Sequence, residues 1–293
     1  MISQAVETAD GVTLALHRLP PPGRAENGRP AVLLVHGAFS SHTVWRRKEG
    51  GGLADFLSGC GFDVWLADLR HHGASPREPR PGTWRFEDWI LFDAPALAAR
   101  VRQETRDAPL AWIGHSSGGA VGLCWLARLG TADLTGPPTP PPPPPVSAIV
   151  SFGTPGPRRL GAVRYALAAA TIGTALALGT FPARALGMGS EDEAARILAD
   201  WMGWNVRGGW IGADGFDYFA ALAGVGTPYL GVAGAADRLF APAEGCREVV
   251  EAVGATRKAL AVADGLSHRG LLRDHRARER CWPRVAAWLE DTP

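Results

Sequence analysis

Six short apolar runs, each closed by turn residues, recur along this 293-residue chain and alternate with segments of helical pattern. They are 31–36 (AVLLVH), 62–68 (FDVWLAD), 110–115 (LAWIGH), 146–152 (VSAIVSF), 228–234 (PYLGVAG) and 258–263 (KALAVA). A continuous apolar run of this length reads as a strand buried on both faces, which is how strands of a parallel sheet look. Between the runs, residues 84–105, 117–129, 242–253 and 276–289 read as helices, the first interrupted by Pro95 near the start of a second helical piece. Strands alternating with helices predict βαβ units, an α/β class and a mostly parallel central sheet flanked by helices. Residues 5–19 add a hairpin, two short alternating runs around the strong turn pair Asp10-Gly11.

Two features break the alternation. Residues 136–145 (GPPTPPPPPP) read as a stiff polyproline linker, either a loop without a task or a docking site for a proline-recognising partner. Residues 156–226 then carry helical patterning and three tryptophans, Trp201, Trp204 and Trp210, and predict a cap inserted into the core. The expected division is therefore 1–155 and 227–293 as the core and 156–226 as a helical cap. Within the cap, 165–183 holds no charged residue and approaches bilayer-spanning length. It is rich in Ala, Gly and Thr and poor in large aliphatics, so a buried or interfacial helix is the expectation, with at most weak contact to a membrane or lipid interface.

Composition removes several function classes. Hydrophobic residues make up 46% and charged residues 20%, which is ample for a large core and unlike a disordered chain. A formal net charge of +1 gives no reason to expect a nucleic-acid partner. Cys60, Cys124, Cys246 and Cys281 lie far apart, with no CxxC or Cys/His cluster, so neither a disulfide framework nor a zinc site is expected. Neither glycine-rich nucleotide-binding motif is present. The opening MISQAVETADG has no basic or apolar leader pattern, and a cytoplasmic location is the expectation.

The sharpest local signal is Gly114-His115-Ser116-Ser117-Gly118, a G-x-S-x-G between a predicted strand and a predicted helix. That context raises a serine on a strained turn above the carboxyl edge of the sheet. A serine hydroxyl needs a base to take its proton. His268, in the loop after the last apolar run, is the candidate, with His275 in the charged run RDHRARER as competitor. An acid must orient and stabilise the imidazole. Asp237, in the turn after PYLGVAG, is the first choice. Asp264 lies too close along the chain to His268, and Asp214 and Asp217 belong to the cap. Oxyanion donors are expected from the backbone N–H of Ser117 and from the loop His36-Gly37-Ala38-Phe39, Ala38 first and Phe39 next. Phe39 also suits an acyl pocket. Trp201, Trp204 and Trp210 either pack the cap on the core or contact substrate.

HGAF, GHSSG, GAAD and LSH, in this order and at these strand ends, resemble the α/β-hydrolase superfamily on its serine esterase and lipase side. The resemblance covers nearly the whole chain outside the cap and the proline run. Residues 68–75 (DLRHHGAS) are similar to the family's D-x-R-G-x-G-x-S loop, with His71 in place of the usual glycine, so the loop backbone is open to change. A metal site at Asp68, His71 and His72 is weighed on residue types and set aside, because adjacent histidines diverge. The resemblance implies a small-molecule ester substrate, an acyl-enzyme on Ser116 and no cofactor or metal. Serine at the turn disfavours the dehalogenase and epoxide-hydrolase branches. The alternatives are a lipase, thioesterase or other acyl-transfer enzyme with the same triad, or a non-catalytic binding protein on the same scaffold.

Overall fold

The computed structural model describes residues 1–23, 29–47, 50–77, 83–130, 145–157 and 162–292. The proline run 136–145 lies outside them except for Pro145. The hairpin comprises β1 (Ile2–Glu7) and β2 (Thr13–Leu19), antiparallel, so its first strand starts earlier than the apolar pattern indicates. The six apolar runs become β3 (Ala31–Val35), β4 (Val64–Asp68), β5 (Leu110–His115), β6 (Ala148–Phe152), β9 (Tyr229–Gly234) and β10 (Lys258–Ala263). A minor antiparallel pair, β7 (Thr180–Phe181) and β8 (Glu193–Ala194), lies between β6 and β9.

The main sheet has the order β1-β2-β4-β3-β5-β6-β9-β10. β2 joins β4 antiparallel, and from β4 to β10 every pairing is parallel. β3, β4, β5, β6 and β9 are buried at every residue, the signature read from their continuous apolar runs. Alternate side chains face opposite ways. Thus Leu33, Val35, Trp65 and Trp112 enter one core cluster, while Val32, Leu34, Val64, Leu66 and Ile113 enter the other.

The first core is closed by α3 (Ala94–Glu104), α4 (Ser117–Leu129) and α8 (Ala243–Ala252), the second by α1 (Leu53–Gly59) and α11 (Trp282–Glu290). The helical stretch over 84–105 has three parts: α2 (Phe86–Asp88), a π-helical turn over Trp89–Asp93, and α3 with Pro95 in its first turn. α3 continues directly from the π-helical turn, with Ala94 N–H donating to the Trp89 carbonyl, and Pro95, which has no N–H to donate, falls at that junction. The stretch over 276–289 is two helices, α10 (His275–Arg280) and α11, parted at Cys281 and with Pro283 opening the second. A single turn, α9 (Gly270–Arg273), precedes them.

Between β6 and β9 stand α5 (Ala162–Leu178), the β7–β8 pair, α6 (Ala195–Arg207) and α7 (Tyr218–Ala221). This segment is not purely helical, and its second half is not a separate body. Ala194, Ile197, Trp204, Trp210, Tyr218 and Leu222 share the core cluster of α3 and α4. α5 differs, with Tyr165, Leu167, Leu176 and Leu178 all exposed. No helix among the described residues is long and apolar enough to cross a membrane.

One buried ion cluster ties the loop after β4 to the π-helical turn. The Arg70 guanidinium, fully buried, donates to Asp93 at 2.7 and 2.9 Å and to Asp10 at 2.9 and 3.1 Å. Removing one partner of such a pair leaves a buried charge poorly compensated. Asp93→Ala is expected to destabilise the fold by about 3 kcal/mol, read as a lower urea midpoint in equilibrium unfolding.

Candidate active site

Ser116 follows β5 and caps α4 with φ 53° and ψ −122°, a left-handed conformation that a serine adopts only under constraint. The glycines on either side explain the constraint. A Cβ on Gly118 would lie 2.4 Å from the His36 carbonyl oxygen and 2.5 Å from that of Val35, at the end of β3. A Cβ on Gly114 would meet the backbone of Gly118 and Gly119 at 2.3–2.4 Å. One glycine lets α4 approach the neighbouring strand, and the other lets it fold back on its own strand. The turn is braced further by Ser116 N–H donating to the Phe152 carbonyl (2.8 Å) and by the Thr154 hydroxyl donating to the Ser116 carbonyl (2.7 Å).

Asp237 and His268 meet at the ends of β9 and β10, with Nδ1 of His268 2.6 Å from Oδ2 of Asp237. Two backbone contacts lace their loops together: Ala235 N–H to the Ala263 carbonyl (3.0 Å) and Ala236 N–H to the Leu266 carbonyl (2.9 Å). Asp237 also accepts from the N–H groups of Phe240 (3.0 Å) and Ala241 (3.1 Å). Burial alone would raise its carboxyl, but the His268 hydrogen bond and charge outweigh this and hold it below the usual range. His275 is exposed and pairs only locally with Asp274.

Ser116 Oγ and His268 are not hydrogen-bonded in this structure. What walls the imidazole escaped sequence reasoning. Gly153, at φ 61°, lies so close that a Cβ there would sit 2.9 Å from Nδ1 and 3.0 Å from Cε1 of His268. The His115 ring lies 4.6 Å from the His268 ring and the Phe240 ring 5.2 Å from it. Burial, with the adjacent His268, pushes His115 well below an ordinary histidine, which keeps that neighbour neutral. The only sequence signals were the x of G-x-S-x-G and a glycine just after β6.

The expected oxyanion donors are arranged differently from the sequence reading. Ser117 N–H opens α4, where no preceding turn can accept it. Ala38 N–H, however, donates to the Ser117 hydroxyl oxygen at 2.8 Å. Phe39 N–H donates to Oε2 of Glu193 at 3.2 Å and is not free for a substrate oxygen. The Phe39 ring packs beside Phe181, with centroids 5.5 Å apart. Trp204 and Trp210 are almost wholly buried and stacked, 5.9 Å between centroids, in a cluster with Phe86 and Tyr218. Trp201 packs on the same cluster, 5.0 Å from Phe86. These three tryptophans pack the inserted segment on the core, the first of their two readings.

In the loop 68–75 beside the site, His71 takes φ 66°, a conformation that glycine adopts freely. Asp68 does not gather His71 and His72. It gathers His17 and His42, whose Nε2 and Nδ1 lie 3.1 and 2.7 Å from Oδ2, and it accepts from the N–H of His42 (2.6 Å) and Ala74 (2.8 Å). The three side chains place their ligand-type atoms within 4.8 Å of one another, yet their contacts to Asp68 are hydrogen-bond distances. A tetrahedral ion would spread its donors to about 3.3 Å apart, wider than the 2.7 Å contact.

Residues 30–170 match the model described as alpha/beta hydrolase fold, and residues 1–49 match a partial alpha/beta-hydrolase lipase region. The chain has the α/β-hydrolase fold. Lipase member N from Mus musculus is 32% identical over 129 residues, 40% of this chain, and that match spans only 32% of the relative's length. Among solved structures, DcsB in complex with its substrate analogue superposes with a TM-score of 0.67 at 16% identity, covering 100% of this chain and 99% of the other. Paleococcus ferrophilus monoacylglycerol lipase gives 0.60 at 18%, covering 94% and 98%. At such identities these two likenesses speak for the fold.

The Asp68 cluster yields a pH-dependent expectation. Burial would raise this carboxyl, but hydrogen bonds from His17 and His42 overcome it and hold it well below its ordinary 3.8. A depressed carboxyl stabilises the fold above 3.8 and loses that contribution as the pH falls toward its folded value. Asp68→Asn should therefore be less stable than the parent by about 2 kcal/mol at neutral pH. The gap should close progressively below pH 3.8, as measured by urea unfolding across a pH series.

Proposed function

We propose that this chain is a serine-dependent carboxylic-ester hydrolase. The observation that carries the reading is the Asp237–His268 pair at 2.6 Å, set at the same sheet edge as a strained serine on the N-terminus of α4. Ser116 Oγ attacks the ester carbonyl while Nε2 of His268 takes its proton, and Asp237 stabilises the imidazolium through Nδ1. The oxyanion is received by Ser117 N–H and by Ala38 N–H, the latter released when the Ser117 hydroxyl rotates away. The imidazolium then protonates the departing alkoxide, leaving Ser116 acylated. Water, deprotonated by His268, attacks the acyl carbonyl, and the proton returns to Ser116 as the acid leaves. The Ser116–His268 hydrogen bond forms in the complex with substrate, as is usual for catalytic contacts that tighten on binding.

An apolar acyl group suits the surroundings. Phe240, half exposed, lies beside His268, and Leu239, Leu186 and the α5 side chains Leu167, Leu176 and Leu178 add exposed apolar surface. The same surface favours a second reading within this class, action on substrate gathered at a lipid interface. Four cysteines standing as free thiols support a reducing, cytoplasmic setting for the protein.

A p-nitrophenyl ester series from acetate to dodecanoate tests the reading. Turnover should peak at medium chain length and fall by ~10⁴-fold or more in Ser116→Ala. A fluorophosphonate probe should add to Ser116 in the parent alone. Equal turnover in parent and variant, or a folded parent that stays unlabelled, would overturn it. For the lipid-interface reading, the rate should jump as the substrate passes its solubility limit.

A further inference from the structure

Glu193 is a fully buried carboxylate outside the catalytic set, carried by β8 in the inserted segment. Oε1 accepts from Ala194 N–H at 3.1 Å. Oε2 accepts from Phe39 N–H at 3.2 Å and lies 3.3 Å from Nε2 of His72. Its partner peptide is the one immediately after Ala38.

Phe39 needs such a clamp. It is held at φ 62°, a left-handed backbone that is strained for a side-chain-bearing residue and persists only where its surroundings enforce it. Both of its peptide groups are gripped from the inserted segment. The N–H goes to Glu193, and the carbonyl accepts from the N–H groups of Ser190 (2.9 Å) and Glu191 (3.1 Å). Gly189 makes the grip possible, because a Cβ there would lie 2.0 Å from the Phe39 carbonyl oxygen. The β7–β8 pairing of Phe181 with Glu193 fixes the strand from which the carboxylate reaches.

The charge is compensated in place. His72 is fully buried, and its Nδ1 lies 2.9 Å from the Arg70 carbonyl, to which it can only donate. A proton on Nε2 then makes the ring an imidazolium facing Glu193. Burial would lower the His72 pKa, but the Glu193 charge more than reverses this and raises it. His36 braces the other side of the loop: Leu69 N–H donates to its Nε2 (3.1 Å), so Nδ1 holds the proton directed at the Gly37 carbonyl (2.8 Å). Burial, then the neighbouring His72, depresses His36 to about 4 and keeps it neutral.

We propose that Glu193 is a positioning residue: by clamping Phe39 N–H it holds the oxyanion-binding loop beside Ser117, so that Ala38 N–H, once released from the Ser117 hydroxyl, is in place to receive the oxyanion. This rests on the ester-hydrolase reading. It also couples the seating of the inserted segment to the chemistry, since the donor is in register only while β8 is docked.

Steady-state kinetics on Glu193→Ala, Glu193→Gln and Arg85→Ala test it. The last breaks a different contact between core and inserted segment, Arg85 with Asp200 at 2.9 and 3.0 Å. Glu193→Ala should lower kcat by about 10- to 100-fold with KM nearly unchanged, as expected for a misplaced transition-state donor. Glu193→Gln keeps an acceptor oxygen for Phe39 N–H and should recover most of the loss. Arg85→Ala should keep the parent kcat. If Glu193→Ala does not fold, Glu193→Leu fills the space without an acceptor and serves the same comparison. A parent-like kcat in the alanine or leucine variant, a loss in KM alone, or equal damage from Arg85→Ala would overturn the proposal. A parent that neither turns over esters nor takes a fluorophosphonate would instead remove the hydrolase reading, and this role with it.

Discussion

A turn too tight for side chains governs the carboxyl edge of the sheet. Ser116 is forced to φ 53° because α4 must reverse directly out of β5. The reversal is possible only where Gly114 and Gly118 let backbone meet backbone. The result is a hydroxyl at the apex and an unpaired N–H group beside it. The same close approach presses α4 against β3 and brings the loop after β3 to the serine by packing. Strain at one residue is thus supported by the two cores on either side of the sheet.

The loops around that turn are braced mainly by buried charges paired at short range. Asp68 holds His17 and His42, Arg70 holds Asp93 and Asp10, and Glu193 faces His72. Pairs of this kind add little net stability compared with apolar packing, since each charge must be desolvated. Their value is directional. A carboxylate that accepts from specified backbone N–H groups fixes a loop's path in a way that apolar packing does not. All three clusters lie next to segments with left-handed residues or tight turns, where the backbone needs that restraint.

Much of this was legible in the amino-acid sequence. The six apolar runs became six strands of the sheet, because a strand covered on both faces must be apolar at every position. The helix over 117–129 was delimited by its own glycine-rich start. Three particulars were not legible. Cys281 and Pro283 divide what reads as one terminal helix, since the apolar period continues across the break. Trp201, Trp204 and Trp210 look alike whether they face a ligand or a core. His71 reads as a departure from a glycine position, yet at φ 66° it takes a conformation that glycine favours.

What the chain determined by itself is the set of short-range facts: which segments are strands, where the strained serine sits, and which acid and imidazole stand at strand ends. Those follow from periodicity and turn chemistry within a few residues. Only the tertiary structure decided which donors are engaged. Ala38 N–H meets Ser117, Phe39 N–H meets Glu193, and Gly153 lies against His268. Partners 154 residues apart, such as Phe39 and Glu193, leave no pattern in local sequence. Their meeting depends on how β7 and β8 dock over the loop, which is a property of the packed molecule.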